Sequence, residues 1–486
     1  MTQHVTISTP QGPVTGVQRD GAAAFLGIPY AQPPVGELRF AAPVPPEPWT
    51  RPLDATQYGP TAQRRPFAQV TTIPEPCIPG AGVLNLNVFT PEPEPRPGAG
   101  LPVLVWIHGG GYVAGSAASP WYDGAAFNRD GVVLVSLGYR LGIEGFLHLD
   151  DAPDNRGVLD WMAALHWVRE NIAAFGGDPA KVTVAGQSAG GGAVQTLLAT
   201  PAAHGLFRAA ISVSGAVMQP QRRADGLAVS ELFTGRTGVP ATAAALRDLP
   251  DDELLALMDK LNAPEPGGQP LPQLTLAPFA DGELVPEPVP EAFADGSASP
   301  VPLMIGFTHH EFNGAAAAFA DAPVEAARGM LAGLGYTPDR AEAYLALHSA
   351  SSPAQVMGQA LTDTLFRAFG SALADARAEQ QLPTWLYQFD WAPVRDGQPG
   401  EAFHCLDLPF AFDLLDAERV TDATGAEPPQ RLADAVHGAW VAFVRDLDPG
   451  QDWPAYTAGR RATMLWDTPE RVADDPLRAE RAVWTA

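Results

Sequence analysis

The sequence predicts a doubly wound α/β fold on a mostly parallel sheet. Three observations carry this expectation. First, two continuous apolar runs, residues 103–107 (V-L-V-W-I) and 132–136 (V-V-L-V-S), have the composition of strands buried on both faces. Second, residues 157–174 repeat with helical period, with Val158, Trp161, Met162, Leu165, Val168 and Ile172 on one stripe. Third, residues 182–192 read V-T-V-A-G-Q-S-A-G-G-G, a β-branched strand running into a sharp turn. Helix-forming residues 193–199 follow and stop at Pro201.

In chain order, residues 5–19 read as a β-hairpin turning at Thr9-Pro10-Gln11-Gly12-Pro13. Residues 25–60 are rich in proline and glycine but too aromatic for disorder, and are expected as packed irregular chain. Residues 84–89 alternate as a strand, and 91–102 form a surface loop by composition. After the elements above, 209–213 is a further strand. From 224 to 292 the alternation breaks. Short helical pieces within 246–261 and the loop Ala263-Pro264-Glu265-Pro266-Gly267-Gly268 are expected as an insertion above the sheet. Residues 302–307 return to the sheet, 315–374 are mostly helical, and 384–391 form a late strand. Residues 431–447 form an amphipathic helix with Leu432, Ala435, Val436, Ala439, Trp440, Phe443 and Val444 on one side. No internal repeat is present, and residues 1–486 are expected to form one decorated domain.

The composition is that of a globular protein with ample core: 46% of the 486 residues are hydrophobic and 17% charged. No apolar run approaches the roughly 20 residues of a membrane span. The start lacks the basic-then-apolar pattern of a signal peptide, so a cytoplasmic protein is expected. A net charge of −25 argues against nucleic-acid phosphate as a partner and reads as a solvated acidic surface. The two cysteines, Cys77 and Cys405, make neither a disulfide framework nor a metal spacing.

Strand, sharp turn and helix are the context that a G-x-S-x-G nucleophile elbow requires, and they mark Ser188 as a nucleophile. A chance match is the bland alternative in a chain with 48 glycines, and the flanking strand and helix weigh against it. A serine needs a base, and the base needs an orienting acid. Glu311 follows the strand 302–307 and is placed to be that acid. Of the later histidines, His348 and His437 lie in helical stretches, where packing or solvation explains them. His404 lies in a loop after the late strand and is the expected base. His108-Gly109-Gly110-Gly111-Tyr112 follows a buried strand. The N–H groups of Gly110 and Gly111, with that of Ala189, are expected to form an oxyanion hole, with His108 bracing the loop. The insertion 224–292 and residues such as Tyr112 are expected to roof the pocket. Cys405 adjoins His404, but neighbouring residues seldom aim side chains at one another, so a Cys–His pair is not expected.

These residues resemble the type-B carboxylesterases, the group that includes cholinesterases and bacterial para-nitrobenzyl esterases. The likeness runs nearly end to end. It includes F-L-G-I-P-Y-A-Q-P-P-V-G-E-L-R-F at 25–40, L-N-V-F-T-P at 86–91, H-G-G-G-Y at 108–112 and N-R-G-V-L-D-W at 155–161. It continues with F-G-G-D-P-A-K-V-T-V-A-G-Q-S-A-G-G at 175–191, P-F-A-D-G-E at 278–283 and W-P-A-Y at 453–456. The resemblance implies an α/β-hydrolase domain with helical insertions over the C-terminal edge of the sheet. It implies hydrolysis of small-molecule carboxylic esters through an acyl-enzyme, without cofactor or metal. Carried onto matching positions, the triad is Ser188, Glu311 and His404, and the oxyanion hole is Gly110, Gly111 and Ala189. Three departures stand out. The first cysteine of a disulfide common in the family is replaced by Ala62. No tryptophan occurs between Trp49 and Trp106 to bind choline. The acid motif reads His310-Glu311-Phe312 rather than D-E-G. Rival readings are hydrolysis of carbamates or amides by the same triad, and an adhesion module on this fold. The second would need a lost serine or histidine, and neither is lost.

Overall fold

The alternation of side chains along a strand sorts apolar residues onto two faces, and both faces of this sheet are covered. The computed structural model describes residues 3–19, 21–65, 71–91, 100–215, 222–263, 275–314, 320–395 and 398–484. Its strands are β1 His4–Thr9, β2 Gly12–Arg19, β3 Ala22–Pro29, β4 Leu53–Asp54, β5 Asn85–Thr90, β6 Leu101–Ile107, β7 Val133–Leu137, β8 Gly177–Gln187, β9 Ala209–Val213, β10 Leu303–Thr308, β11 Thr384–Phe389, β12 Val394–Arg395, β13 Gln398–Pro399, β14 Ala462–Trp466 and β15 Arg471–Asp474. Thirteen of them form one sheet in the order β1-β2-β3-β5-β7-β6-β8-β9-β10-β11-β14-β15, with β4 beside β2. The run from β7 to β14 is parallel throughout. Antiparallel strands flank it on both sides. This is the expected doubly wound α/β sheet.

Odd and even positions of β6 show the sorting. Val103, Val105 and Ile107 pack with Trp161, Leu165 and Val168 of the helix Arg156–Asn171 and with Leu197 of the helix Ala189–Leu198. Leu104 and Trp106 face the other way, into Val436, Trp440 and Phe443 of the helix Gln430–Asp446. Burial of that order stabilises by about 2 kcal/mol per large side chain.

Residues 25–29, expected as irregular, are the second half of β3. A bulge between Phe25 and Ile28 breaks the two-residue period that would have marked a strand. The strands β14 and β15 were also not foreseen. The expected loop 91–102 and insertion loop 263–268 lie largely outside the described residues, as do residues 315–319 of the helical stretch. Otherwise that stretch is helical, including Val324–Gly333, Pro338–Leu347, Pro353–Thr362 and Ala368–Glu379, with one π-helical turn at Asp363–Arg367. Between β9 and β10 the insertion supplies helices Arg223–Thr237, Asp251–Asn262 and Val289–Asp295.

Several of the motifs prove to be joints. Asn155 donates to Phe279 O and Asp281 Oδ2 and accepts from Phe279 N, so the N-R-G and P-F-A-D-G segments hold each other. Arg156 is fully buried and donates to the carbonyls of Ile143, Glu144, Leu147 and Pro153. Asp160 takes a bidentate pair from Arg140 at 2.7 and 2.8 Å with both groups buried.

Candidate active site

Because β6, β8, β9, β10 and β11 are parallel neighbours, the loops leaving their C-terminal ends share one edge of the sheet. Every proposed site residue lies on or near one of these loops.

β8 ends at Gln187 and the next helix begins at Ala189, leaving Ser188 alone at the turn with φ 58° and ψ −123°. Such a backbone costs about 1–3 kcal/mol and is held by its surroundings. Ser188 N donates to Val213 O, and Ser188 O accepts from Gly192 N, both at 2.9 Å. A Cβ on Gly190 would lie 2.0 Å from Ile107 O, and one on Gly186 2.3 Å from Gly190 O. Glycine is required at both positions because strand and helix touch.

At the end of β6, Gly110 O accepts from Val113 N and Ala114 N, curling the chain with φ +113° at Gly110. Among the described residues no hydrogen bond involves the N–H of Gly110, Gly111 or Ala189. His108 is buried and stacks on Tyr139 with ring centroids 4.5 Å apart; burial pushes its pKa down to about 4. It is a neutral brace, as expected. Tyr112, which the sequence suggested as a roof over the substrate, is instead fully buried against Phe146 and Trp161. Its left-handed φ of 61° turns the side chain inward. A cleft of about 210 Å³ opens between Val113 and Ala114 on one side and Leu254, Leu255 and Met258 of the insertion on the other.

Glu311 lies just past β10, almost fully buried. Its Oε1 accepts from Thr308 N at 2.8 Å and Ser214 Oγ at 2.7 Å. Its Oε2 lies 2.5 Å from His404 Nδ1. His404 N also donates to Glu311 O at 3.0 Å, so backbone and side chain fix the pair together. The imidazole sits against Phe312 and Phe366, 5.0 and 5.3 Å between centroids. Burial works against its charge, but the Cys405 sulfur and the Glu311 carboxylate outweigh burial and hold its pKa well above the usual histidine range. The thiol is itself pushed up by burial, so at neutral pH the carboxylate is the charge that decides.

Ser188, Glu311 and His404 therefore share one edge, and the Glu311–His404 contact is closed. Among the described residues Ser188 Oγ makes no hydrogen bond. The partner at His404 Nε2 is the Gln187 carboxamide, 3.1 Å away. Hydrogen bonds of a catalytic site often form only once substrate binds. His437 is buried on its helix, bonded to Ala411 O and Asp130, and His348 caps the helix Pro338–Leu347. The departing acid motif is accommodated: His310 Nδ1 accepts from Ala402 N, and Phe312 packs on His404. One expectation fails. Cys405 does turn its sulfur to the His404 ring, because its φ of +74° folds the two neighbours together.

Sequence reasoning missed Ser214, Gln187 and Asp407. Ser214, at φ 47°, follows β9 as the end of S-V-S, and that strand-end serine was the available signal. Asp407 is buried beneath the pair, bonded to Tyr387 Oη at 2.8 Å; burial, then Glu311, pushes its pKa up to about 7. No cluster of three or more His, Cys, Asp or Glu side chains with metal-binding geometry occurs among the described residues.

The profile of the Carboxylesterase family matches residues 3–484. The chain belongs to the carboxylesterase family. The para-nitrobenzyl esterase of Bacillus subtilis is 38% identical over 490 residues, covering 98% of each chain. The phenmedipham hydrolase of Pseudarthrobacter oxydans is 34% identical, covering 97% of each. Among solved structures, a thermophilic PNB esterase superposes with a TM-score of 0.86 at 36% identity, over 99% of this chain and all of its own. The Geobacillus stearothermophilus carboxylesterase EST55 gives 0.85 at 33% identity, with the same coverage. This carboxylesterase is thus an α/β-hydrolase and a serine hydrolase of carboxylic esters. No helix among its described residues is long and apolar enough to cross a membrane.

Proposed function

We propose that Ser188 is the nucleophile, His404 the general base, Glu311 the orienting acid, and the N–H groups of Gly110, Gly111 and Ala189 the oxyanion hole, within one catalytic domain spanning residues 1–486. The observation that carries this reading is the 2.5 Å contact between His404 Nδ1 and a buried Glu311, on the same sheet edge as the strained Ser188. Glu311 fixes the Nδ1–H tautomer and leaves the Nε2 lone pair for the serine proton. Ser188 Oγ attacks the ester carbonyl as its proton passes to Nε2. The carbonyl oxygen becomes an oxyanion within reach of the three N–H groups, each worth about 3 kcal/mol of transition-state stabilisation. His404 returns the proton to the leaving alkoxide, and water then cleaves the acyl-enzyme by the same steps in reverse. The substrate class we propose is neutral esters with short to medium acyl chains, with the insertion side chains Leu254, Leu255 and Met258 offering apolar surface beside the glycine loop.

The test is labelling with a fluorophosphonate followed by peptide mapping. Ser188 is expected to be the single modified residue, and Ser188→Ala to lose labelling and several orders of magnitude in kcat. Labelling elsewhere, with Ser188→Ala fully active, would overturn the assignment.

A further inference from the structure

Gln187, the residue before the proposed nucleophile, is buried at 1% exposure. Its Nε2 lies 3.1 Å from His404 Nε2 and 3.0 Å from Cys405 Sγ. With Nδ1 of His404 engaged by Glu311, Nε2 carries a lone pair, and the carboxamide N–H fills it. This partner suits only the neutral ring. Once His404 takes a proton, Nε2–H is a donor facing a donor.

The terminal torsion of a glutamine is broad and roughly two-fold. A half-turn about it places Oε1 where Nε2 was, without moving the chain. Cys405 fits both orientations: sulfur accepts a weak hydrogen bond from N–H, and S–H donates one to Oε1. Burial pushes the Cys405 thiol up, so it keeps its proton through the neutral range.

We propose that Gln187 is a positioning residue whose carboxamide holds His404 Nε2 as a donor between turnovers and reverses to accept from Nε2–H while His404 carries the Ser188 proton. The inference rests on the roles proposed above for Ser188 and His404. The step balances: the carboxamide turns and frees Nε2, Ser188 Oγ bonds the carbonyl carbon as the C=O pair moves onto oxygen and the serine proton moves to Nε2, Oε1 shares the new N–H, and when the pair returns the ester C–O bond breaks and the leaving alkoxide takes the proton from Nε2. The other titratable groups facing the imidazole are Glu311, Cys405 and Asp407, and the rings of Phe312 and Phe366 pack against it.

The experiment measures kcat and kcat/KM for para-nitrophenyl acetate from pH 5 to 9 in Gln187→Glu, Gln187→Leu and Cys405→Val, with fluorophosphonate labelling of each. Gln187→Glu accepts from Nε2–H but cannot donate to the neutral ring, so its acid limb moves up by about one pH unit or more. Gln187→Leu does neither, so its plateau kcat falls at least about tenfold with KM nearly unchanged. Cys405→Val leaves Gln187 in place without its anchor, and a smaller kcat loss of about threefold or more is expected. A merely structural Gln187 would lower stability without moving the limb. Ser188 labelled as in the parent protein, with limb and kcat unmoved, overturns the inference about Gln187. Failure to label Ser188 in the parent protein overturns the triad instead.

Discussion

A general base works only while neutral, so with His404 in the role proposed for it the acid side of the rate profile is expected to follow its titration. Burial disfavours its charged form, and Cys405 and Glu311 outweigh burial, so its pKa stands above the ordinary value of 6.5. The sign follows. As pH falls through that raised pKa the ring charges and loses the lone pair that Ser188 needs, so the limb of kcat/KM lies above pH 6.5. Glu311→Gln removes the opposing charge, moves the limb down, and lowers kcat strongly, though less than Ser188→Ala. His437→Gln leaves the limb in place, because His437 is engaged with Ala411 O and Asp130 away from the pair. A limb at or below 6.5 in the parent protein would show that Glu311 does not govern His404.

At the scale of elements, the site is a set of strand ends held by close backbone contact. β6 and β8 are adjacent, and the helix after β8 runs so near β6 that only glycine fits at 190. Gly190→Ala is expected to destabilise by about 3 kcal/mol or more and to displace Ser188 from its turn. Gly438 offers the contrast. It is exposed on the helix Gln430–Asp446, and a Cβ added there would meet nothing within 4 Å, so Gly438→Ala should raise stability by about 0.5–1 kcal/mol with activity intact. Thermal melts of the two variants check both signs. A second device is the π-helical turn Asp363–Arg367. Phe366 from that turn packs on His404, and the preceding Thr362 accepts from Phe312 N, beside Glu311.

At the scale of the molecule, the net charge of −25 draws cations toward the surface, but salt screens that attraction beyond about 10 Å at 0.1 M. Tight binding of a quaternary ammonium needs an aromatic face within about 6 Å. Trp121 cannot turn to serve: it is fully buried, with Nε1 donating to Glu418 O. Trp391 packs on Phe410 at 5.0 Å. Para-nitrophenyl acetate and butyrate should therefore exceed thiocholine esters of equal acyl length in kcat/KM at 0.15 M salt, with long-chain triglyceride poor. A clear preference for thiocholine would refute this account of the pocket. The two cysteines add no staple, since both are free thiols, Cys77 exposed and Cys405 buried.

What the sequence determined by itself was whatever depends on short-range sterics and period. The apolar runs at 103–107 and 132–136 had the length and composition of doubly buried strands, and the turn at Gly186-Gln187-Ser188-Ala189-Gly190 needs glycines on both sides of a strained serine. Chain order then pointed to Glu311, just after the strand 302–307, as the candidate acid. The tertiary structure alone decided which groups meet across long separations. His404 and Glu311 are 93 residues apart, and only the adjacency of β10 and β11 closes their contact. The same holds for Ser214 on Glu311: its place at a strand end was legible, but its partner was not until β9 and β10 lay side by side. Tyr112 points inward and Cys405 turns to His404 because each has a positive φ, which residue type did not foretell. β3 stayed hidden because a bulge interrupts its period and it is set in a stretch rich in proline and glycine, so neither alternation nor a clean apolar run marked it.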